Sequence, residues 1–208
     1  MNKQPLVSVI IPYNKDRGYL TQAIRSVKNQ SYKNVELILS QSDRSVGCNM
    51  NRGIEKSKGD LICYLAEDDL LPKRSIESRV DYFLEYPNTD FVHGRGWKMF
   101  KDGSKTEYKL NDSRTTFKSC LENNGIMGGT TMYRKELFQK FKFDEELWTA
   151  EEWDFHLRLL KSKKKLSFVN DFCYIYRRHY EQKSIGNLSN EYQNKRNIVK
   201  DEIRKRYI

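Results

Sequence analysis

The chain has 208 residues, 38% of them hydrophobic and 32% charged, with a formal net charge of +10. This length supports one domain with a genuine core. No apolar run approaches the ~20 residues that a membrane-spanning helix needs, which excludes a helical membrane protein. Cys48, Cys63, Cys120 and Cys173 are scattered without metal-ligand spacing and read as reduced, buried thiols. Met1-Asn2-Lys3-Gln4-Pro5 runs straight into a strand-like segment without a signal-peptide pattern. The expected location is cytoplasmic, with peripheral attachment at the inner membrane surface as the alternative. The basic surplus falls late, in Lys161-Ser162-Lys163-Lys164-Lys165, Arg177-Arg178 and the tail from Lys195 to Arg206. It is either a solvated surface or an attraction for an anionic partner: a nucleotide, an acidic membrane face or nucleic acid.

Leu6 to Pro12 is a β-branched run that predicts a buried parallel strand. Tyr13 to Asp16 predicts a turn, and the spacing of Leu20, Ala23, Ile24 and Val27 predicts a helix to about Gln30. A second strand is expected over Val35 to Leu39, followed by a polar loop. Ser45 is placed to cap a second helix, ending at Lys58-Gly59 with the glycine as its stop. Leu61 to Ala66 predicts a third strand. Such alternation of strand and helix argues for parallel βαβ units. Pro72 suits the first turn of a helix to about Tyr86. Beyond about Asp90 the style changes. A strand is expected over Asp90 to Phe100, a loop or hairpin over Gly103 to Thr115, and a short helix over Thr116 to Asn123. Gly128 to Tyr133 predicts a tight turn into a strand, Lys135 to Phe141 a helix, and Glu151 to Lys161 another helix with Trp153, Leu157 and Leu160 on one face. Leu166 to Arg177 is strand-like. The tail from Glu191 predicts a helix with an apolar stripe of Tyr192, Val199, Ile203 and Tyr207.

The segment that points to chemistry is Tyr64-Leu65-Ala66-Glu67-Asp68-Asp69, an apolar run that ends in three carboxylates. Acids at the tip of a strand suit a divalent cation held against a phosphate, because hard oxygen ligands match magnesium or manganese. In an α/β sheet the ligand crevice lies outside the carboxyl ends of the strands. The alternation lacks G-x-G-x-x-G after its first strand and lacks a Walker A lysine loop, which argues against a dehydrogenase or a P-loop enzyme. The plain alternatives are an acidic surface turn at residues 67–69, dipole-stabilising acids at Glu151-Glu152, a solvated loop histidine at His179 and a core tryptophan at Trp153.

Several segments together resemble family 2 glycosyltransferases of the GT-A fold. They are Val7-Ser8-Val9-Ile10-Ile11-Pro12-Tyr13-Asn14, Ala23-Ile24-Arg25-Ser26-Val27-Lys28-Asn29-Gln30-Ser31-Tyr32, Asn51-Arg52-Gly53-Ile54, Lys58-Gly59-Asp60, Glu67-Asp68-Asp69, Gly129-Thr130, Phe143-Asp144-Glu145, Ala150-Glu151-Glu152-Trp153-Asp154 and Tyr176-Arg177-Arg178-His179. The resemblance covers roughly residues 6 to 185. It implies a Rossmann-like three-layer α/β/α sandwich with a mostly parallel central sheet. It also implies one domain over 1–208, with 1–90 the nucleotide-sugar-binding half, 91–190 the acceptor and catalytic half, and 191–208 a basic C-terminal helix.

The resemblance further implies a metal-dependent, inverting transfer of sugar from a nucleoside-diphosphate donor, such as a UDP-sugar, to an acceptor hydroxyl. A glycan or lipid-linked saccharide is the default acceptor. On this reading Asp69, Asp68 and His179 hold Mn(II) or Mg(II), and Glu152 is the base. Pro12, Tyr13, Asn14, Gln41, Ser42, Arg52, Glu67, Asp68, Arg177 and Arg178 bind the donor, with Glu67 on the ribose side or solvated. Glu151, Trp153 and Gly129 lie on the acceptor side. The chain departs from the family at three places: Gln41 or Ser42 stands where aspartates meet the nucleoside, Ala66 where many members have an aspartate, and Glu152 where the base is usually aspartate. Those departures motivate a non-catalytic sugar-nucleotide binder as one alternative. The basic charge motivates transfer to a modified DNA base as another. A nucleotidyltransferase is disfavoured, because Pro12-Tyr13-Asn14-Lys15 is not a glycine-rich activation loop. Oligomeric state is left open.

Overall fold

The β-branched first run forms β1 (Val7–Tyr13), which pairs in parallel with β2 (Val35–Gln41) on one side and β3 (Leu61–Tyr64) on the other. The computed structural model describes residues 4–109, 115–180 and 190–207. α1 (Leu20–Lys28) and α2 (Val46–Lys56) make the crossovers. α3 (Ser75–Glu85) leads to β4 (Phe91–Met99), which turns back into β5 (Lys105–Tyr108). α4 (Phe117–Asn123) and a 3₁₀ turn, Gly128–Thr130, precede the short β6 (Met132–Arg134). α5 (Glu151–Lys161), β7 (Leu166–Arg177) and α6 (Asn190–Lys205) complete the chain.

The strands form one sheet in the order β2-β1-β3-β6-β4, with β7 along the far edge of β4 and β5 beside its second half. β6 runs antiparallel to both β3 and β4, while β4 and β7 are parallel. The sheet is therefore mixed, with most of its ladder length parallel.

Alternation along β1 divides the core. Val7, Val9 and Ile11 pack against Ala23 and Val27 of α1 and Ile76, Val80 and Phe83 of α3. Ile10, with Ile62 and Tyr64 of β3, faces Met50 and Ile54 of α2, Phe155 and Leu157 of α5, and Val199 and Ile203 of α6. A sheet covered on both faces gives the three layers. Burying an Ile10 or Ile62 side chain contributes roughly 1.5–3 kcal/mol over leaving it exposed. All four cysteines are buried and free. Among the described residues no helix is long and apolar enough to cross a membrane.

Several expectations shift. α2 ends at Lys56, and Ser57 leaves it in an extended conformation. Gly59 is not a helix stop: a Cβ there would lie 2.8 Å from the Leu6 carbonyl oxygen, so the glycine permits close approach to β1. Pro72 sits in the turn before α3, where its carbonyl accepts from the Ser75 N–H at 3.0 Å and from Gln30 Nε2 at 2.7 Å. β3 stops at Tyr64, two residues early, and Lys135–Gln139 is a 3₁₀ helix. Ser45 caps α2 as expected, its Oγ accepting from the Cys48 N–H at 3.1 Å. The Phe143-Asp144-Glu145 segment docks on α2. Asn51 donates to the Phe143 carbonyl at 3.0 Å and accepts from the Phe143 N–H at 3.0 Å.

One buried cation ties these layers together. The Arg79 guanidinium of α3 has no exposure. It donates to the Thr131 carbonyl at 2.8 Å, the Thr130 carbonyl at 3.3 Å, the Ser75 carbonyl at 2.9 Å and Ser75 Oγ at 2.8 Å. Ser75 Oγ in turn donates to the Cys173 carbonyl of β7 at 2.6 Å. The planar fork of donors thus straps the 3₁₀ turn to α3.

Candidate active site

A cleft of about 290 Å³ opens outside the carboxyl ends of β1 and β3, where an α/β sheet offers its ligand crevice. The end of β1 brings Pro12, Tyr13 and Asn14 to it. The loop after β3 brings Ala66, Glu67, Asp68 and Asp69. Gly128 and Gly129, Glu151 and Glu152 at the start of α5, and Tyr174 and Tyr176 of β7 close the other side. Arg17, Arg44, Asn49 and Tyr64 also line it, and sequence reasoning did not single them out.

The three acids after β3 have separate surroundings. Asp69 is buried, and its two carboxylate oxygens accept from Tyr174 Oη and from the Arg177 N–H, each at 2.7 Å. Burial and the neighbouring Asp68 push its pKa well above the usual carboxylate range. Asp69, expected as a metal ligand, lines the cleft and also holds the loop against β7. Glu67 is also buried, and ion-paired with Arg17 rather than solvated. Burial and Asp68 raise its pKa while Arg17 opposes them.

Asp68 is the acid that meets a histidine: its Oδ2 lies 3.0 Å from His179 Nε2. The His179 ring packs on Tyr19 with centroids 4.9 Å apart. A carboxylate oxygen beside an imidazole nitrogen is a donor set that manganese accepts. Among the described residues no group of three or more His, Cys, Asp and Glu side chains is arranged to hold a metal. An ion held by Asp68 and His179 would have to take its remaining ligands from water or phosphate, as magnesium commonly does.

Arg177 faces away from the cleft. Its Nε donates to the Asp68 carbonyl and its Nη2 to Gln22 Oε1, each at 2.8 Å, and its guanidinium lies over Tyr19. Arg178 donates its N–H to the Met99 carbonyl at 2.8 Å and does not line the cleft. Both were expected at the donor phosphates; Arg17 and Arg44 are the cations that line the wall. Gln41, Ser42 and Arg52 stand behind the rim. The Tyr13 hydroxyl donates to Gln41 Oε1 at 3.4 Å, Ser42 Oγ donates to Asn49 Oδ1 at 2.7 Å, and Arg52 reaches the Gln41 carbonyl at 3.3 Å. The buried Asn49 amide donates to the Tyr13 carbonyl at 3.2 Å and the Ser42 carbonyl at 3.1 Å, fixing the tips of β1 and β2 together.

Glu152 stands in the first turn of α5. Ala150 precedes that helix with φ 61, a left-handed conformation that turns the chain toward the cleft. Burial and the charge of Glu151 push the Glu152 pKa up to about 7, against the lowering effect of the nearby Tyr64 hydroxyl. A helix N-terminus favours a carboxylate, yet here desolvation is the larger effect. Gly128 makes room for this pair, since a Cβ there would collide with Tyr64 Oη and Glu152 Oε2. Gly129 does the same for the Tyr174 ring, and Tyr174 Oη accepts from the Ala66 N–H at 3.1 Å. Gly128→Ala should therefore fold, yet lose roughly 1–3 kcal/mol to overpacking and most of any activity that depends on Glu152. Melting and turnover measured on one preparation check both parts.

A second cleft, about 360 Å³, lies on the other side of Glu151 and Glu152 and shares Val46 with the first. Trp148, Thr149, Tyr108 and Arg196 and Lys200 of α6 also line it. Trp148 is 38% exposed and meets the Tyr192 ring edge-on. Trp153, expected as an acceptor wall, is 2% exposed and belongs to the core. Its Nε1 donates to the Cys120 carbonyl at 2.7 Å, and it reaches this cleft only as floor.

Residues 40–142 match the family described as glycosyl transferase family 2, a span that includes the acidic loop and the Gly128–Thr130 turn. TarS of S. aureus, solved with UDP-GlcNAc, shares the fold with a TM-score of 0.68 at 17% identity, covering 85% of this chain and 60% of TarS. The architecture is that of a GT-A glycosyltransferase. An uncharacterized glycosyltransferase of Rickettsia typhi is 28% identical, covering 76% of this chain and 59% of that protein. The minor teichoic acid biosynthesis protein GgaB of Bacillus subtilis is 25% identical, covering 82% of this chain and 23% of GgaB. Over residues 40–142 the chain is similar to glycosyl transferase family 2. It spans 59% of the length of the Rickettsia typhi relative.

Proposed function

We propose that the protein transfers a sugar from a nucleoside-diphosphate sugar to an acceptor hydroxyl with inversion, and that Glu152 is the base. The observation that carries this reading is a carboxylate with a pKa of about 7 on the wall of the crevice that Asp68 also lines, with His179 Nε2 3.0 Å from Asp68 Oδ2. A base is most effective when its pKa lies near the working pH. The acceptor oxygen gives its proton to Glu152 and bonds to the anomeric carbon. The bond from that carbon to the diphosphate breaks, and the electron pair leaves with the nucleotide. Glu67 and Asp69 are engaged by Arg17, Tyr174 and the Arg177 N–H. With those acids occupied, a single displacement is favoured over a covalent intermediate.

Asp68 and His179 are the residues that would hold Mn(II) or Mg(II), which supplies charge neutralisation for the departing diphosphate. Tyr13 and Asn14, with Gln41 behind Tyr13, are suited to the nucleoside. The UDP-GlcNAc bound by TarS makes uridine donors the first to try.

The test is a panel of nucleotide sugars with manganese, magnesium or EDTA, scored by released nucleoside diphosphate. Metal-dependent turnover of one donor is expected, and Asp68→Ala and His179→Ala should each lose at least about tenfold at fixed manganese, in line with losses when ligand shells are altered. Full turnover in EDTA would remove the metal from the reading. Donor binding with no transfer to any acceptor would favour a binding protein.

A further inference from the structure

The second cleft has a charge pattern that the family resemblance does not explain. Its wall carries both the carboxylates Glu151 and Glu152 and the cations Arg196 and Lys200, one turn apart on α6. Arg196 Nε donates to Thr149 Oγ1 at 3.3 Å, which fixes its guanidinium at the wall. Among the described residues no carboxylate forms a salt bridge with Arg196 or Lys200. Burial, Arg196 and Arg204 lower the Lys200 pKa, so Lys200 holds charge that its own surroundings oppose. Trp148 lines the same cleft, an exposed aromatic face of the kind on which a sugar or polyol chain can lie.

Resting on the reading of Glu152 as the base, we propose that this cleft takes a polyhydroxylated acceptor bearing a phosphate or carboxylate. The anion sits between Arg196 and Lys200, the carbon skeleton lies on Trp148, and the reacting hydroxyl reaches Glu152. An anion beside the carboxylates would be repelled by Glu151, so the charge and the reacting hydroxyl belong at opposite ends of the bound unit. A neutral saccharide would leave two cations without a partner in a cleft of about 360 Å³.

The experiment uses the whole chain and three oligomers of matched length: oligo(glycerol phosphate), oligogalacturonate and a neutral maltooligosaccharide. Binding is read by tryptophan fluorescence at low salt, with a thermal shift by UDP-GlcNAc measured on the same preparation. At least one anionic oligomer should bind about tenfold or more tighter than the neutral one, since a hydrogen bond to a charged group contributes roughly 1.5–3 kcal/mol. Whichever anion binds distinguishes phosphate from carboxylate. Lys200→Gln and Arg196→Gln should each reduce that preference about tenfold. If Arg196→Gln loosens α6 by losing Thr149, Lys200→Gln still decides, because among the described residues that side chain carries no such bond. Equal binding of all three oligomers, or a preference that survives Lys200→Gln, overturns the proposal. A missing nucleotide shift counts against the donor reading instead, so the two failures are distinguishable.

Discussion

Glu152→Gln should lower transfer by about 10²- to 10⁴-fold, the usual contribution of a general base, while nucleotide binding persists. In the wild type kcat/KM should rise with pH and level off above about 7, as Glu152 ionises. The Gln variant should show residual activity without that rise. Stability should move the other way. The folded-state pKa of about 7 lies above the ordinary value of 4.5, so between them the folded protein keeps a proton that the unfolded chain has released. Stability therefore falls as pH climbs through that window, by about 3 kcal/mol in full. The Gln variant escapes this loss, and should be more stable than wild type at pH about 8 and equal to it near pH about 4. Urea midpoints at the two pH values check it. An unchanged difference across pH would mean that Glu152 is not held protonated, and the assignment of the base would lose its physical support.

Arg79→Met should cost about 3–5 kcal/mol. The substitution removes the donors of three buried carbonyls, at Ser75, Thr130 and Thr131, and each unsatisfied group costs roughly 1–3 kcal/mol before relaxation. At about 2–4 °C per kcal/mol for a domain of this size, Tm should fall by about 10 °C. Arg79→Lys keeps a charge but not the planar fork, so it should recover only part of the loss. The same variants should slow turnover below their melting range, because the strapped turn carries Gly128 beside Glu152. A melting temperature at the wild-type value would show that the buried fork holds nothing the fold needs.

The regular parts of the fold were legible because their patterns are strong. The β-branched run of β1, the capped start of α2 and the bounds of α5 and β7 follow from periodicity and local hydrogen bonding. Gly59 was misread because a glycine that ends a helix and one that admits a neighbouring backbone look alike in sequence; only the approach of Leu6 and Ser8 separates them. The acidic loop was legible as a cluster, but not how each acid is engaged. That is decided by Tyr174 and the Arg177 N–H, more than 100 residues away, which bind Asp69 while Asp68 meets His179. Arg177 was expected at the donor phosphates and Arg17 was passed over for a similar reason. A long cation next to a motif can face the site or clamp the loop from behind, and the acceptors that decide, Glu67 and Gln22, lie on other elements. Trp148 and Trp153 sit five residues apart, and only the docking of α5 on the Cys120 carbonyl shows which one stays exposed.

The two clefts meet at a shared carboxylate wall, and neither has to empty for the other to fill. This has a kinetic consequence. Both reactants should be on the protein before either product departs, so initial-rate lines in double-reciprocal form should intersect rather than run parallel. The released nucleotide should compete with the donor and not with the acceptor.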